Sequence, residues 1–183
     1  AVHYLDQSRT VDTISANYLE GLIELYLRHY DAALVYARRA QRQTTWLYEA
    51  SKLEGDVYLA MALDDKDHGL YETSEQKLAM ALARYEQAAE LGRSDYQLHE
   101  AIAEVRLHEL ELDGLRGQDP RAHLQEALAA AERANAAHRT AASGHAKKAS
   151  AYLAALRQLD DRESREERGM LIDALIESGK TAV

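Results

Sequence analysis

Apolar side chains recur at spacings of three and four residues along almost the whole chain, which is the pattern of amphipathic α-helices. In the segment from about Asp12 to His29, the apolar positions include Tyr18, Leu22 and Tyr26. No segment of the sequence alternates apolar and polar residues in the manner of a convincing strand. The pattern therefore predicts an all-α protein.

Eight helices in antiparallel pairs account for this periodicity. Two turns stand out between them, Tyr30–Asp31 and the polar run from Asp64 to Gly69, and Trp46 falls among the apolar positions of the third helix. The predicted bounds are about 12–29, 31–43, 44–63, 73–91, 94–113, 120–137, 140–159 and 160–178.

Capping residues set several of these bounds. Asp119 followed by Pro120 is typical of an N-cap and a first helical residue, and Gly92 and Gly179 are typical of the position after a helix. Capping boxes, in which a short polar side chain precedes Gln or Glu by three residues, predict the starts of the fourth, fifth and eighth helices. These boxes are Thr73 with Gln76, Ser94 with Gln97, and Asp160 with Glu163.

Small residues recur in a fixed relation along the chain. The marker positions are Gly21, Gly55, Ala103 and Ala149, and a pair of alanines seven residues apart lies between each marker and the next. These pairs are Ala33 and Ala40, Ala81 and Ala88, and Ala127 and Ala134. Because helices approach closely only where side chains are tiny, we expect these residues to mark helix–helix crossings.

The markers lie 34, 48 and 46 residues apart. The spacing from the second alanine of each pair to the next marker is constant, so the extra length falls between the two helices of the second and third hairpins. We therefore expect these two hairpins to protrude, through longer helices, a longer loop or both.

The first unit, Tyr18-Leu19-Glu20-Gly21 … Tyr30-Asp31-Ala32-Ala33 … Ala37 … Ala40, resembles a tetratricopeptide repeat, and the resemblance covers about residues 14–159. It implies an all-α, tetratricopeptide-like solenoid of about eight antiparallel helices, with two elongated hairpins. The chain departs from the family in lacking the proline at repeat ends. It also has Tyr85 where the first and third units have Ala37 and Ala131.

The resemblance also implies a division of the chain. The chain opens on Ala1 without a methionine, and we expect residues 1–12 to be a lead-in that continues from a longer protein. Residues 13–160 form the repeats, and residues 161–183 form a C-terminal capping helix and tail. The repeat units are 13–43, 44–92, 94–138, and 140–160 as the first helix of a fourth unit.

In the family, the first helix of each unit lines a concave groove, and the matching positions supply the candidate partner-binding residues. These candidates are Tyr18, Leu22, Tyr26, Lys52, Asp56, Glu100, Glu104 and His108. The candidates in the first unit are markedly apolar, which favours binding of an amphipathic helix or an extended peptide. Equally, the preceding sequence, including residues 1–12, could cover this apolar face, and both interpretations remain open here.

Composition narrows the class of partner. The chain carries 22 basic and 31 acidic residues, and a net charge of −9 argues against a broad nucleic-acid surface. No run approaches the ~18 apolar residues of a membrane-spanning helix. The chain has no cysteine, which excludes disulfides and zinc–thiolate sites and favours a cytoplasmic location.

The residues that could bind a metal, catalyse a reaction or dock a charged partner are more typical of a solvated surface. His99-Glu100 begins like a zinc-protease motif, but Ala103 stands where the second histidine is needed. Glu104 and His108 could share a metal, although this spacing is more typical of an exposed polar pair. A basic patch on the second helix is more typical of a solvated face with ion pairs than of a docking site for an acidic segment. It comprises Arg38, Arg39 and Arg42. We expect no enzyme activity, metal or cofactor.

The stretch Trp46-Leu47-Tyr48-Glu49-Ala50 … Leu53-Glu54-Gly55-Asp56 is also similar to repeat regions attached to bacterial serine/threonine kinases and related signalling proteins. The predicted function is a non-catalytic protein–protein interaction module, a scaffold or regulatory domain that binds a peptide or partner protein in its groove. The alternatives are a homo-oligomerisation domain, pairing the chain as a homodimer, and a small-molecule sensor domain.

Overall fold

The computed structural model describes residues 15–137, 142–158 and 165–181. These residues form eight α-helices and no strand, so the predicted all-α class is confirmed for them. The helices are α1 (Ala16–Tyr26), α2 (Tyr30–Gln43), α3 (Tyr48–Asp67), α4 (Tyr71–Leu91), α5 (Tyr96–Arg116), α6 (Arg121–Ala137), α7 (Ala142–Gln158) and α8 (Arg165–Thr181).

The chain divides into two compact units, residues 1–93 with α1–α4 and residues 94–183 with α5–α8. In the first unit, each helix packs on the next, and α3 also contacts α1. In the second unit, each helix again packs on the next, and α7 also contacts α5. Within each unit, therefore, the third helix lies against both helices of the preceding hairpin.

Small residues do mark close helix crossings. A Cβ atom added to Gly21 would lie 2.8 Å from Cδ2 of Leu53, and one added to Gly55 would lie 2.7 Å from Cε1 of Tyr85. The predicted alanines are buried, with at most 4% of their surface exposed. They are Ala33, Ala40, Ala81, Ala88, Ala103, Ala127 and Ala134. The side chain of Ala149 lies outside the described part of the structure.

The extra length of the second and third hairpins lies in their helices. Helices α3 and α4 have 20 and 21 residues, against 11 and 14 for α1 and α2. Only residues 68–70 separate α3 from α4, and only residues 117–120 separate α5 from α6. Of the predicted sources of length, the structure therefore uses longer helices.

The turn after the first helix is built in the same way in the three hairpins whose turns the structure describes, α1–α2, α3–α4 and α5–α6. One residue in the left-handed conformation follows the helix, and the next backbone N–H donates to a carbonyl five residues back. The left-handed residues are Arg28 (φ 63°), Gly69 (φ 75°) and Gly117 (φ 67°). The predicted turn at Tyr30–Asp31 is wrong. The turn lies earlier, around Arg28, and α2 already begins at Tyr30.

The predicted limits of the third helix are wrong at both ends. A turn held by Leu47 N–H donating to the Thr44 carbonyl at 3.0 Å delays the helix to Tyr48. Trp46 therefore lies in the connection and is 74% exposed. At the other end, the helix continues through Asp64 to Asp67, because the acidic side chains of its last turns have cationic partners.

Two predicted capping boxes are also wrong. Helix α4 begins at Tyr71, and the hydroxyl of Thr73 donates to the Leu70 carbonyl at 3.0 Å from inside the first turn. Helix α5 is capped by Asp95 rather than Ser94, since the Asp95 carboxylate accepts from Gln97 N–H at 2.9 Å. Asp160, the N-cap of the third box, lies outside the described residues.

Of the other predicted helix ends, some are correct and some are wrong. Asp119 caps α6, its carboxylate accepting from Arg121 N–H at 3.1 Å, and this backbone bond lowers the pKa of Asp119. The predicted end of α4 at Leu91 is correct. Helix α5 continues through Gly114 to Arg116, and α8 continues through Gly179 to Thr181, because a single glycine only weakens a helix that has packing partners.

Candidate functional site

Tyr18 joins the first helices of two consecutive hairpins in the first unit. Burial, together with the negative charges of Asp56 and Glu49 in α3, raises the pKa of Tyr18 to about 12. Tyr26, two turns along α1, also contributes to this shift. Tyr18 also packs against a core that includes Leu53 and Val57 of α3, so this tyrosine lies at the contact between the two helices.

The candidate residues of α1 and α3 form what we call the α1–α3 face, and Asp56 makes two side-chain contacts there. Lys52 Nζ lies 3.0 Å from one carboxylate oxygen of Asp56, and the hydroxyl of Tyr85 in α4 donates to the other at 2.8 Å. The side chains of Lys52 and Asp56 remain 25% and 27% exposed. The face thus presents a positioned ion pair, anchored from behind by a buried tyrosine.

The apolar candidates of α1 divide into two kinds. Tyr18 and Leu22 are partly buried and pack against the core formed by Leu34, Leu53 and other residues of α2 and α3. Tyr26, at the end of α1, is 58% exposed. Tyr26 is therefore the apolar candidate most available to a partner, and Leu22 is chiefly a packing residue.

The second unit brings α5 and α7 together through a charge pair. Lys147 Nζ in α7 lies 3.3 Å from Glu104 Oε2 in α5. His108 Nδ1 lies 2.9 Å from Glu111 Oε2, one turn along the same helix, and Glu100 is half-buried. Glu104 therefore pairs with a cation of the neighbouring helix α7, whereas His108 contacts a carboxylate of its own helix.

The first unit contains a buried carboxylate that was not predicted from the sequence. Glu54, 2% exposed, accepts from Arg38 Nε at 2.8 Å and lies 3.7 Å from Arg84 Nε. Arg38 also donates to the hydroxyl of Tyr58 at 2.6 Å. The bond to Glu54 raises the pKa of Arg38. Arg38 is therefore a link between α2 and α3 rather than part of a freely solvated basic patch.

A second cluster that sequence reasoning missed lies between α5 and α6. Asp113, 3% exposed, accepts a hydrogen bond from Nδ1 of His123 at 2.7 Å. Ligand atoms of Glu109, His123 and Glu126 lie within 4.8 Å of one another. Nη1 of Arg106 lies 2.8 Å from Glu109 and 2.6 Å from Glu126. The i,i+3 pair of His123 and Glu126 is the sequence pattern that could have revealed this cluster.

An open crevice of about 520 Å³ follows the surface between α3 and α4. Its lining is mostly apolar and includes one cation, Arg84. The lining residues are Tyr58, Gln76, Ala79, Met80, Ala83 and Arg84. The crevice is shallow, and it lies on a different part of α3 from Lys52.

No helix in the described ranges is both long and apolar enough to cross a membrane. Compared with models of known protein families and with curated proteins, the chain shows no match.

Proposed function

We propose that the chain is a non-catalytic protein–protein interaction module of the tetratricopeptide-like kind, a scaffold or regulatory domain that binds a peptide or a partner protein. The observation that carries the proposal is that α1 contacts α3, with Tyr18 packed against a core that includes Leu53 and with Lys52 paired to Asp56 on α3. These residues come from α1 and α3, the first helices of two consecutive hairpins.

The packing order supports this proposal. In each unit, the third helix lies against both helices of the hairpin before it, which is how serially stacked hairpins bury their apolar faces. This arrangement leaves neighbouring first helices side by side. A rigid face of this kind can receive an amphipathic helix or an extended segment without ordering a loop.

The chemistry of the face suits recognition. Tyr26 offers a large, exposed aromatic surface with a polar tip, and such residues often dominate binding energy at interfaces. Lys52 and Asp56 are held by hydrogen bonds, so a partner that meets them orders few additional side chains. The proposal assigns anchoring to Tyr26 and orientation to the ion pair.

Site-specific photo-crosslinking in an extract of the source cells tests the proposal. A benzophenone amino acid at position 26 should capture a specific protein, whereas the same probe at the exposed Glu86 of α4 should not. The captured protein should then bind the Tyr26→Ala variant at least about ten-fold more weakly than the native chain, as for an aromatic hot spot. Equal capture at both positions, or unchanged binding by Tyr26→Ala, would rule out this face.

Self-association is a second candidate function because of one specific feature. Helix α8 carries Met170, Ile172 and Ile176 at 62%, 45% and 51% exposure. Ile172 and Ile176 lie one turn apart and share a helix face, and an exposed apolar pair of this kind can pack against a copy of itself. Light scattering should give twice the mass of one chain if this occurs, and Ile176→Glu should return the mass to that of a monomer.

A further inference from the structure

The cluster between α5 and α6 already holds one cation. Nη1 of Arg106 contacts carboxylate oxygens of Glu109 and Glu126 at 2.8 and 2.6 Å. A single guanidinium offsets only one of these two negative charges. A divalent ion at the same place would offset both of them.

His123 brings a nitrogen ligand to the same cluster. One of its ring nitrogens lies within 4.8 Å of a carboxylate oxygen of each glutamate. Because the carboxylate of Asp113 can only accept, Nδ1 of His123 donates to it, and neutral imidazole then keeps its lone pair on Nε2. A histidine oriented by a buried carboxylate is the usual support of a metal ligand.

From these contacts, we propose that Glu109, His123 and Glu126 bind a divalent transition-metal ion of the zinc class, which displaces the guanidinium of Arg106. One imidazole and two carboxylates favour such an ion over Mg²⁺ or Ca²⁺, which prefer oxygen ligands throughout. The side chain of Arg106 is 20% exposed and can turn outward when the ion enters.

The bound ion would act as a clamp within the second unit. Glu109 lies on α5, and His123 and Glu126 lie one turn apart on α6, so one ion would join the two helices of the hairpin. Binding to the folded chain alone raises the melting temperature as the metal concentration increases. The proposal is independent of partner binding at the α1–α3 face.

Calorimetric titration of the tag-free chain with Zn²⁺ tests the site, with Co²⁺ absorption as a spectroscopic check. The native chain should bind one equivalent. His123→Asn should weaken binding at least about ten-fold. Glu126→Gln, at a side chain 48% exposed, should weaken binding without disturbing the fold. Arg106→Met should strengthen binding, because the competing cation is gone.

His108→Asn on α5 is the matched control and should bind Zn²⁺ as the native chain does. Native-like binding by His123→Asn, or equal weakening by His108→Asn, would overturn the site in favour of scattered surface histidines. Failure of the native chain to bind would also overturn it, even if Arg106→Met binds, because arginine would then be the permanent occupant.

Discussion

The two long hairpins, α3–α4 and α5–α6, pack corresponding positions with different side chains. In α3–α4, Gly55 faces Tyr85, whose ring is completely buried. At the corresponding positions in α5–α6, Ala103 and Ala131 are both completely buried. Hairpin α3–α4 thus concentrates its bulk in one aromatic ring, whereas α5–α6 divides it between two methyl groups.

This difference shows that glycine and alanine are not interchangeable at a helix crossing. Gly55 is required because the ring of Tyr85 occupies the place of a Cβ atom, and that ring also donates a hydrogen bond to Asp56. The phenol thereby connects the core of hairpin α3–α4 to the α1–α3 face. The interior of a protein is close-packed, so such a crossing tolerates little change in volume.

The largest expected effect comes from enlarging Gly55. Gly55→Leu should lower the free energy of unfolding by about 1–3 kcal/mol or more, because the new side chain has no space beside Tyr85. Urea denaturation measures this change. Gly169→Leu in α8 is the matched control, since no atom lies within 4 Å of the position of its Cβ. Equal losses at the two sites would mean that crowding is not the cause.

The turns of the two hairpins should respond alike, although their crossings differ. Gly69→Ala and Gly117→Ala should each cost about 1–2 kcal/mol, because both residues are left-handed and a Cβ is strained there. No neighbouring atom would meet either Cβ, so backbone strain is isolated from packing. Thermal unfolding of the two variants gives the comparison, and a loss at only one turn would break the equivalence.

A smaller, pH-dependent effect distinguishes the faces of the two units. The α1–α3 face has Tyr18 where the second unit's α5 has Glu100. The pKa of Tyr18 rises from 10.0 to about 12 on folding, so its contribution to stability is complete below pH 10 and is lost as pH rises through about 12. The free energy of unfolding, measured by urea denaturation across this pH range, should fall more steeply with pH for the native chain than for Tyr18→Phe. Parallel curves would contradict the raised pKa.

Periodic apolar residues and regularly spaced small residues were sufficient to predict the helical class, the close crossings and the long hairpins. Gly21 and Gly55 were predictable because a close crossing requires a small residue wherever it occurs. Tyr85 was visible only as an exception, because its fit depends on the backbone position of Gly55, which spacing does not reveal.

Local competition explains the incorrect helix ends. Ser94 and Asp95 are both good N-caps, and the choice between them depended on which oxygen reached Gln97 N–H. Asp64 and Asp65 have the composition of a loop, but Arg28 and Lys77 pair with them across the helices and allow α3 to continue.

The candidate site was predicted in part. Tyr18, Lys52 and Asp56 do lie together, since they occupy the same face of neighbouring helices. Leu22 is chiefly a packing residue because the thin core of the unit needs its side chain. The cluster around His123 was missed because its members come from α5 and α6, and only the pairing of those helices brings them together.

The most direct test of close packing at small residues is a double-mutant cycle between positions 55 and 85, read as the free energy of unfolding in urea. Gly55→Ala alone should be destabilising, since its Cβ would lie 2.7 Å from the Tyr85 ring. With Tyr85→Leu in the background, the same substitution should cost less by about 0.5–3 kcal/mol. If Gly55→Ala costs the same in both backgrounds, the ring does not dictate the glycine, and the account of this crossing is wrong.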